Sequence, residues 1–314
     1  MTVATTDPDP GGAPVERADA PLLEVIIVCS TGGRDLLQDA LSSLERHPLR
    51  QGPMTVWVVD NASTDGTPDA VRAEFPWVCL WALDWNSGFC IANNVALRAS
   101  TAPYVVLLNP DTEVYEGSLD RMVDLMRARP DIGMSGPRLV QRDGTLDHAA
   151  KRSFPTPVSA LAHFVGLGRR AGAPSALAQY RAPELGEYEA GEVDAVNGAF
   201  MLVNRPALEQ VGLLDERYWL YMEDLDWCYR FTQAGWLVWY EGTVDVVHVK
   251  GGTTVRKRHR GLRHNSAFHR SMGRFYRKFY SGRSGVQDVA VYLAIGAKFA
   301  IAAVRSTVAR RSVL

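Results

Sequence analysis

Between Leu22 and about Val140 the chain repeats one pattern: a short apolar run, a polar cluster, then a segment with helical periodicity. No other feature limits the fold as tightly, because strands alternating with helices of this length imply a parallel sheet. "LLEVIIVCS" reads as a fully buried strand by its length and β-branched content. "RDLLQDALSSLERH" follows, with Leu37, Leu41 and Leu44 at helical spacing. "MTVWVVD" is a second strand ending at Asp60, and "NASTDGTPDAVRAEF" turns into a helix whose entrance suits Pro68. "VCLWAL", "SGFCIANNVALRAS", "YVVLL" and "GSLDRMVDLMRARP" continue as strand, helix, strand and helix. The expected class is α/β, with a mostly parallel sheet covered by helices on both faces. In such sheets ligands collect at the carboxyl ends of the strands. The polar clusters "STGGRD", "DNASTDGT" and "NPDT" all follow strand ends and should converge there.

Residues 141–190 read as a long irregular loop carrying short helices, with "FPTP" and a Gly/Ala/Pro-rich stretch. Regular structure resumes with "AFMLVN" as a strand, "RPALEQVG" and "YMEDLDWCYRFTQAG" as helices, and "WLVWY" and "VDVVHV" as two strands. No internal repeat is visible. The boundaries expected from this pass are a flexible tail at 1–22, a catalytic domain at 23–255, and a basic, amphipathic helical region at 256–314. The first twenty residues lack the apolar core of a secretion signal. Cys29, Cys79, Cys90 and Cys228 have no C-x-x-C spacing, which suggests reduced thiols in a cytoplasmic protein.

Charge is unevenly placed. The net charge is −1, yet from Gly251 onward 14 Lys and Arg face one acidic residue, Asp288. An acidic body with a basic tail points to a polyanion, either nucleic acid or an anionic membrane. In "NSAFHRSMGRFYRKFY", Phe268, Met272, Phe275 and Phe279 share one face, the make-up of an interfacial helix. "VAVYLAIGAKFAIAAV" has 16 residues, fewer than the ~20 that span a bilayer, so it is expected to lie on a membrane or pack on a partner, a homodimer among the alternatives. A helix folded back on the body is the competing reading. The run "VRKRHRGLRH" has no recognition module interleaved with its charge, which argues against nucleic acid and for lipid headgroups or a lipid diphosphate.

Three clusters carry chemistry. Asp111 sits in the Pro-containing turn "NPDT" at a strand end, where a hard cation such as Mg²⁺ or Mn²⁺ takes one or two carboxylates plus substrate phosphates. Glu223, Asp224 and Asp226 open a helix after an aromatic run. Helix-dipole and i,i+4 pairing account for such a cluster without function. Trp219, Tyr221, Met222 and Trp227, however, offer a platform on which sugar rings stack. Partial burial there raises a carboxylate's proton affinity toward that of a base near neutral pH. His248 ends an apolar strand before a glycine pair, where imidazole can be structural or a metal ligand.

Taken as a set, "VVDNASTDGT", "NSGFCIANN", "LLNPDTEV" and "DERYWLYMEDLDWCYRFTQAGW" followed by "VVHVKGG" resemble family-2 glycosyltransferases of the GT-A fold, across roughly residues 23–252. The "NPD" form and the chain length are similar to bacterial rhamnosyltransferases of cell-wall or O-antigen assembly. The resemblance implies a role for each matching residue. Asp60 would read the pyrimidine base, with Ser30 and Thr31 beside it. Asn86, Gly88 and Asn93 would line the nucleotide site, and Asn109 and Asp111 stand at the Asp-x-Asp motif with Asp111 as metal ligand. Asp224 matches the catalytic base and His248 a further metal or diphosphate ligand, while Trp219, Tyr221 and Glu223 are expected on the acceptor side. Asn109 replaces the first acidic residue of the motif, so less negative charge meets the metal.

The implied function is an inverting, Mg²⁺- or Mn²⁺-dependent transfer from a dTDP- or UDP-sugar, dTDP-rhamnose by similarity, to a lipid-linked or other glycan acceptor. The implied place is the inner face of the cell membrane. A dehydrogenase is excluded because no G-x-G-x-x-G follows a strand. A nucleotidyltransferase, and a catalytically inactive sugar-nucleotide-binding scaffold, remain as alternatives.

Overall fold

The computed structural model describes residues 20–155, 182, 184–249 and 262–311. Four strands, β1 (Leu23–Cys29), β2 (Met54–Asp60), β3 (Cys79–Ala82) and β4 (Tyr104–Leu108), lie parallel in the order β3-β2-β1-β4. Helices α1 (Arg34–Arg46), α2 (Thr67–Glu74) and α3 (Phe89–Ala99) connect them as expected. β1 and β4 are buried almost throughout, which is why they read as continuous apolar runs rather than alternating ones. Leu37, Leu41 and Leu44 of α1 are fully buried in the same core. Each such side chain contributes roughly 1.5–3 kcal/mol by leaving water.

The second half continues the sheet with mixed direction. β5 (Thr112–Val114), α4 (Ser118–Ala128) and β6 (Ile132–Val140) follow β4 in sequence. Short strands β7 (Lys151–Arg152), β8 (Ala190–Glu192) and β9 (Ala195–Val196) precede β10 (Phe200–Asn204), α5 (Arg205–Val211), α6 (Glu223–Gln233) and β11 (Leu237–His248). The nine-stranded sheet runs β3-β2-β1-β4-β10-β6-β11-β5, with β8 added to β11. β10 is antiparallel to β4, and Phe200 faces Leu108. The residues just before β10 therefore lie at the carboxyl end of β4. β11 is parallel to β6 and antiparallel to β5, with His248 facing Thr112.

Three expectations are revised. "WLVWY" and "VDVVHV" form one twelve-residue strand with an irregularity between Glu241 and Asp245, not two strands. Gly242 stands within that irregularity; a Cβ there would sit 2.3 Å from the Glu189 carbonyl oxygen, so the close chain approach requires glycine. The helix read from Tyr221 starts at Glu223, because Tyr221 and Met222 have φ of 72° and 70°. The C-terminal apolar segment is longer than its sixteen most apolar residues. α7 (Leu262–Phe279) is followed by α8 (Gly285–Arg311), whose stretch Gly285–Val304 is long and apolar enough to cross a membrane. Only 6% of that stretch is buried, so it is not folded into the body, and it packs against α7. The loop expected over 141–190 falls largely at 156–181, outside the described residues. Cys29, Cys90 and Cys228 are buried free thiols, and Cys79 is exposed.

Candidate active site

Parallel register places the ends of β1, β2 and β3 side by side, with Cys29 opposite Asp60 and Asp60 opposite Ala82. Asp60 is buried there. Its Oδ2 accepts the Ser63 amide at 2.9 Å and its Oδ1 accepts the Cys29 thiol at 3.4 Å. Ser30 and Thr31 are exposed on the adjoining loop, where Thr31 Oγ1 accepts the Thr64 amide at 3.0 Å. Asn61, which the sequence did not single out, joins this loop to the next. Its Oδ1 accepts the Ser87 amide at 2.7 Å, and its Nδ2 donates to the Gly88 carbonyl at 3.1 Å.

Asn86 Oδ1 accepts the Gly88 amide at 3.2 Å, shaping the turn into α3. Gly88 has φ of 87°, and a Cβ there would meet Trp219 Cδ1 at 2.4 Å and the Trp219 carbonyl at 2.5 Å. The Phe89 amide donates to that same carbonyl at 2.8 Å. Trp219 therefore packs against this turn, and the guanidinium of Arg263 on α7 lies 4.3 Å from the centre of its ring. Asn93 is buried, with its amide donating to the Phe89 carbonyl at 2.9 Å, so it braces its own helix and is closed to solvent.

At the tip of β4 the Asn109 amide donates to the Ala199 carbonyl at 2.9 Å, and the Asn109 carbonyl accepts the Thr112 amide at 3.2 Å. This turn delivers Asp111, which is buried. The Val249 amide donates to the Asp111 carbonyl at 2.8 Å, fixing the end of β11 against it. His248 Nε2 then lies 3.6 Å from Asp111 Oδ1, while its Nδ1 is 2.9 Å from Asp147 Oδ2. Burial lowers the proton affinity of His248, but hydrogen bonding and charge from Asp111 and Asp147 outweigh it and raise its pKa to about 9.

Asp224 enters from the first turn of α6. Its Oδ2 accepts Arg152 Nη2 at 2.6 Å and the Gly198 amide at 3.3 Å, and its Oδ1 accepts the Leu225 amide at 2.8 Å. Gly198 adjoins Ala199, the residue bonded to Asn109, so Asp224 borders the β4 tip through a single link. The residue bonded to Asp224 is thus next in sequence to the one bonded to the turn that presents Asp111. Asp147 and Arg152, which complete the arrangement, escaped sequence reasoning because they lie in a stretch with no periodicity.

The aromatic platform is smaller than the sequence suggested. Trp219 and Tyr221 are half-buried, Tyr221 packing edge-on to Phe268 at 5.5 Å. Trp227 instead belongs to the core, fully buried with its Nε1 donating to the Gly212 carbonyl at 2.9 Å. Glu223 is also buried, and among the described residues its Oε2 has no hydrogen-bond partner. Burial, then the neighbouring Asp224 charge, pushes its carboxyl well above the usual range. Glu223, expected on the acceptor side, is thus a buried acid adjoining Asp224.

No group of three or more His, Cys, Asp or Glu side chains poised for a metal occurs among the described residues. The pair Asp111–His248 nevertheless fits a hard cation that takes its remaining ligands from substrate phosphates. A carboxylate on the far ring nitrogen, as Asp147 provides, is the usual support of a ligating imidazole.

The chain has relatives in sequence and in fold. The family model for Glycosyl transferase family 2 matches residues 25–211. The chain is 33% identical over 272 residues to the N-acetylglucosaminyl-diphospho-decaprenol L-rhamnosyltransferase of Mycobacterium tuberculosis strain H37Rv, covering 83% of this chain and 86% of that one. It is 27% identical over 233 residues to the O-antigen biosynthesis protein RfbC of Myxococcus xanthus, covering 71% of this chain and 17% of the other. Among solved structures, the mannosyltransferase PcManGT from Pyrobaculum calidifontis, in complex with GDP-Man and Mn²⁺, aligns with TM-score 0.56 and 18% identity, over 92% of this chain and 76% of that one. GalNAc-T7 with UDP, GalNAc and Mn²⁺ aligns with TM-score 0.58 and 14% identity, over 84% of this chain and 49% of that one. These last two likenesses establish the GT-A fold. With the family model over more than half its length and a relative matched along most of both chains, this chain is a glycosyltransferase of family 2.

Proposed function

We propose that the chain transfers L-rhamnose from dTDP-rhamnose to a polyprenyl-diphosphate-linked N-acetylglucosamine, inverting the anomeric centre. The reading is supported by the Asp111–His248 pair at the tip of β4 and by the bond from the Gly198 amide to Asp224, one residue before the Ala199 carbonyl that binds Asn109. The sugar and the acceptor class follow from the activity of the mycobacterial relative, and the dTDP carrier from the family resemblance. Asp60, Asn86 and Gly88, with Ser30 and Thr31, form the donor side. Trp219 and Tyr221 form the acceptor side.

In this reading Asp224 Oδ1 accepts the proton of an acceptor hydroxyl as that oxygen attacks the anomeric carbon from the face opposite the nucleotide. The new C–O bond forms as the bond to the diphosphate breaks, and the nucleoside diphosphate leaves with the electron pair. Positioned general-base catalysis of this kind supplies roughly 10²–10⁴ in rate. Alignment of two bound substrates on a rigid sheet edge supplies more. Asp111 and His248 would hold Mg²⁺ or Mn²⁺, whose chemistry is to neutralise charge on the departing diphosphate.

Residues 23–255 constitute the catalytic unit in this proposal. α8, with Val286, Val289, Leu293, Ile301 and Val304 exposed, rests on the inner face of the membrane that carries the acceptor. The test is a donor panel of dTDP-rhamnose, UDP-glucose, UDP-GlcNAc and GDP-mannose with a polyprenyl-diphospho-GlcNAc acceptor, read as release of nucleoside diphosphate. Turnover with dTDP-rhamnose at least tenfold above the others supports the proposal. Turnover confined to another donor rejects the donor assignment, and no turnover with any of the four rejects the proposed transfer to this acceptor.

A further inference from the structure

The geometry points to Arg152 as a positioning residue for the transfer: it holds Asp224 so that one oxygen, Oδ1, is left to receive the acceptor's proton. This inference rests on the reading of Asp224 as the base. Arg152 belongs to neither the donor loops nor the Asp111–His248 pair. It sits on β7, where pairing with β9 sets Arg152 opposite Ala195 and Lys151 opposite Val196. It is buried, and its Nη2 donates to the Val196 carbonyl at 2.5 Å and to Asp224 Oδ2 at 2.6 Å.

A carboxylate offers about four acceptor positions, two on each oxygen. On Asp224, Oδ2 is filled by Arg152 Nη2 and the Gly198 amide, whereas Oδ1 receives only the Leu225 amide. Among the described residues one acceptor position therefore remains, and it is on Oδ1. Two bonds on Oδ2 from different segments also stop the carboxylate from rotating about its χ2 bond. A base fixed in this way does not lose orientation while waiting for its substrate.

Charge adds a second reason. Glu223, Asp224 and Asp226 fall within four residues. Asp226 has cations of its own, Arg230 at 2.8 Å and Lys278 at 2.6 Å. Among the described residues Glu223 has no ion-pair partner; it lies buried beside Asp224, and the positive charge of Arg152 acts on it. Arg152 thus supplies the positive charge at the proposed base's own position. Arginine suits the task because it stays charged when buried and fixes direction through a planar fork.

The full-length protein would be assayed with dTDP-rhamnose, a polyprenyl-diphospho-GlcNAc acceptor and Mn²⁺, comparing R152Q, R152K and D224N with wild type. R152Q is expected to lower kcat by about 10²-fold while the KM for dTDP-rhamnose and the Kd for dTDP stay within threefold. R152K, which restores a cation but not the fork, should recover at least tenfold of that loss. Melting temperatures report whether each variant folds. R152Q keeping kcat within threefold of wild type overturns the inference. So does a rise in donor KM with kcat intact, or an R152K variant that melts like wild type yet is as slow as R152Q. D224N separates the two claims: a D224N enzyme as fast as wild type removes the base reading itself, whereas an inactive D224N beside a fully active R152Q removes only the role of Arg152.

Discussion

Gly88 illustrates how one backbone position links the two sides of the site. Its positive φ and the Trp219 atoms 2.4 Å and 2.5 Å from a virtual Cβ leave no room for a side chain. Gly88→Ala is expected to cost about 1–3 kcal/mol in stability through strain and overpacking, and to weaken dTDP binding, both measurable by thermal melts with and without nucleotide. Glu223 makes a different prediction. Its raised pKa means that the folded state holds a proton which the unfolded chain releases near pH 4.5. Stability should therefore be greatest below that pH and decline as pH rises through 4.5 toward the folded value. Glu223→Gln removes this decline, so its melting temperature relative to wild type should be higher at pH 8.5 than at pH 5. An equal difference at both pH values would contradict the buried-acid description. The positions of Asp111, Asp224 and His248, at the tip of β4, in the first turn of α6 and at the end of β11, follow from the pattern of elements, whereas the choice of Asp224 over Glu223 and Asp226 rests on the family resemblance. Asp147 and Arg152 were not legible in the sequence, since only tertiary pairing gives them partners. Trp227 was misread as a platform because an aromatic next to carboxylates looks the same in sequence whether it faces a ligand or the core.

At the level of elements, β11 does the most to assemble the site, since its register against β5 sets His248 beside Asp111. Its unity was hidden by Gly242, which reads as a break but serves close approach of the Tyr188–Glu189 backbone. The start of α6 was hidden for a related reason: nothing in "YMED" announces two successive left-handed residues. α7 is docked by charge as well as by rings. Lys278 binds Asp215 at 2.8 Å and Asp226 at 2.6 Å, and the Ser271 hydroxyl donates to the Leu220 carbonyl at 3.0 Å. Burial raises the proton affinity of Asp215, but hydrogen bonds from Arg217 and Lys278 win and hold its carboxyl far below the usual range. A depressed carboxylate stabilises the fold above its ordinary value of about 3.8, and that contribution disappears as pH falls below it. Asp215→Asn should thus lower the urea midpoint at pH 6 and flatten its fall between pH 4 and pH 2.5. A wild-type slope retained in the variant would assign acid sensitivity to other groups.

For the whole molecule, the parallel half of the sheet was readable from alternation alone, whereas the reversal at β10 was not, because antiparallel insertion leaves no periodic signature. The described body ends in α8, whose apolar surface lies outside the core. On anionic vesicles of phosphatidylglycerol, wild type should co-sediment, and the full-length double variant Leu293→Glu, Ile301→Glu should bind at least 10²-fold more weakly. Each buried charge costs about 2.5–3.5 kcal/mol in an apolar bilayer. Unchanged co-sedimentation would move the attachment away from α8. The central claim, that strand ends distant in sequence gather one base and one cation pair around a sugar nucleotide, is tested most directly at Asp224. With dTDP-rhamnose and a polyprenyl-diphospho-GlcNAc acceptor, Asp224→Asn should lose at least about 10²-fold in kcat while binding dTDP as wild type does. A variant that turns over within threefold of wild type would contradict it.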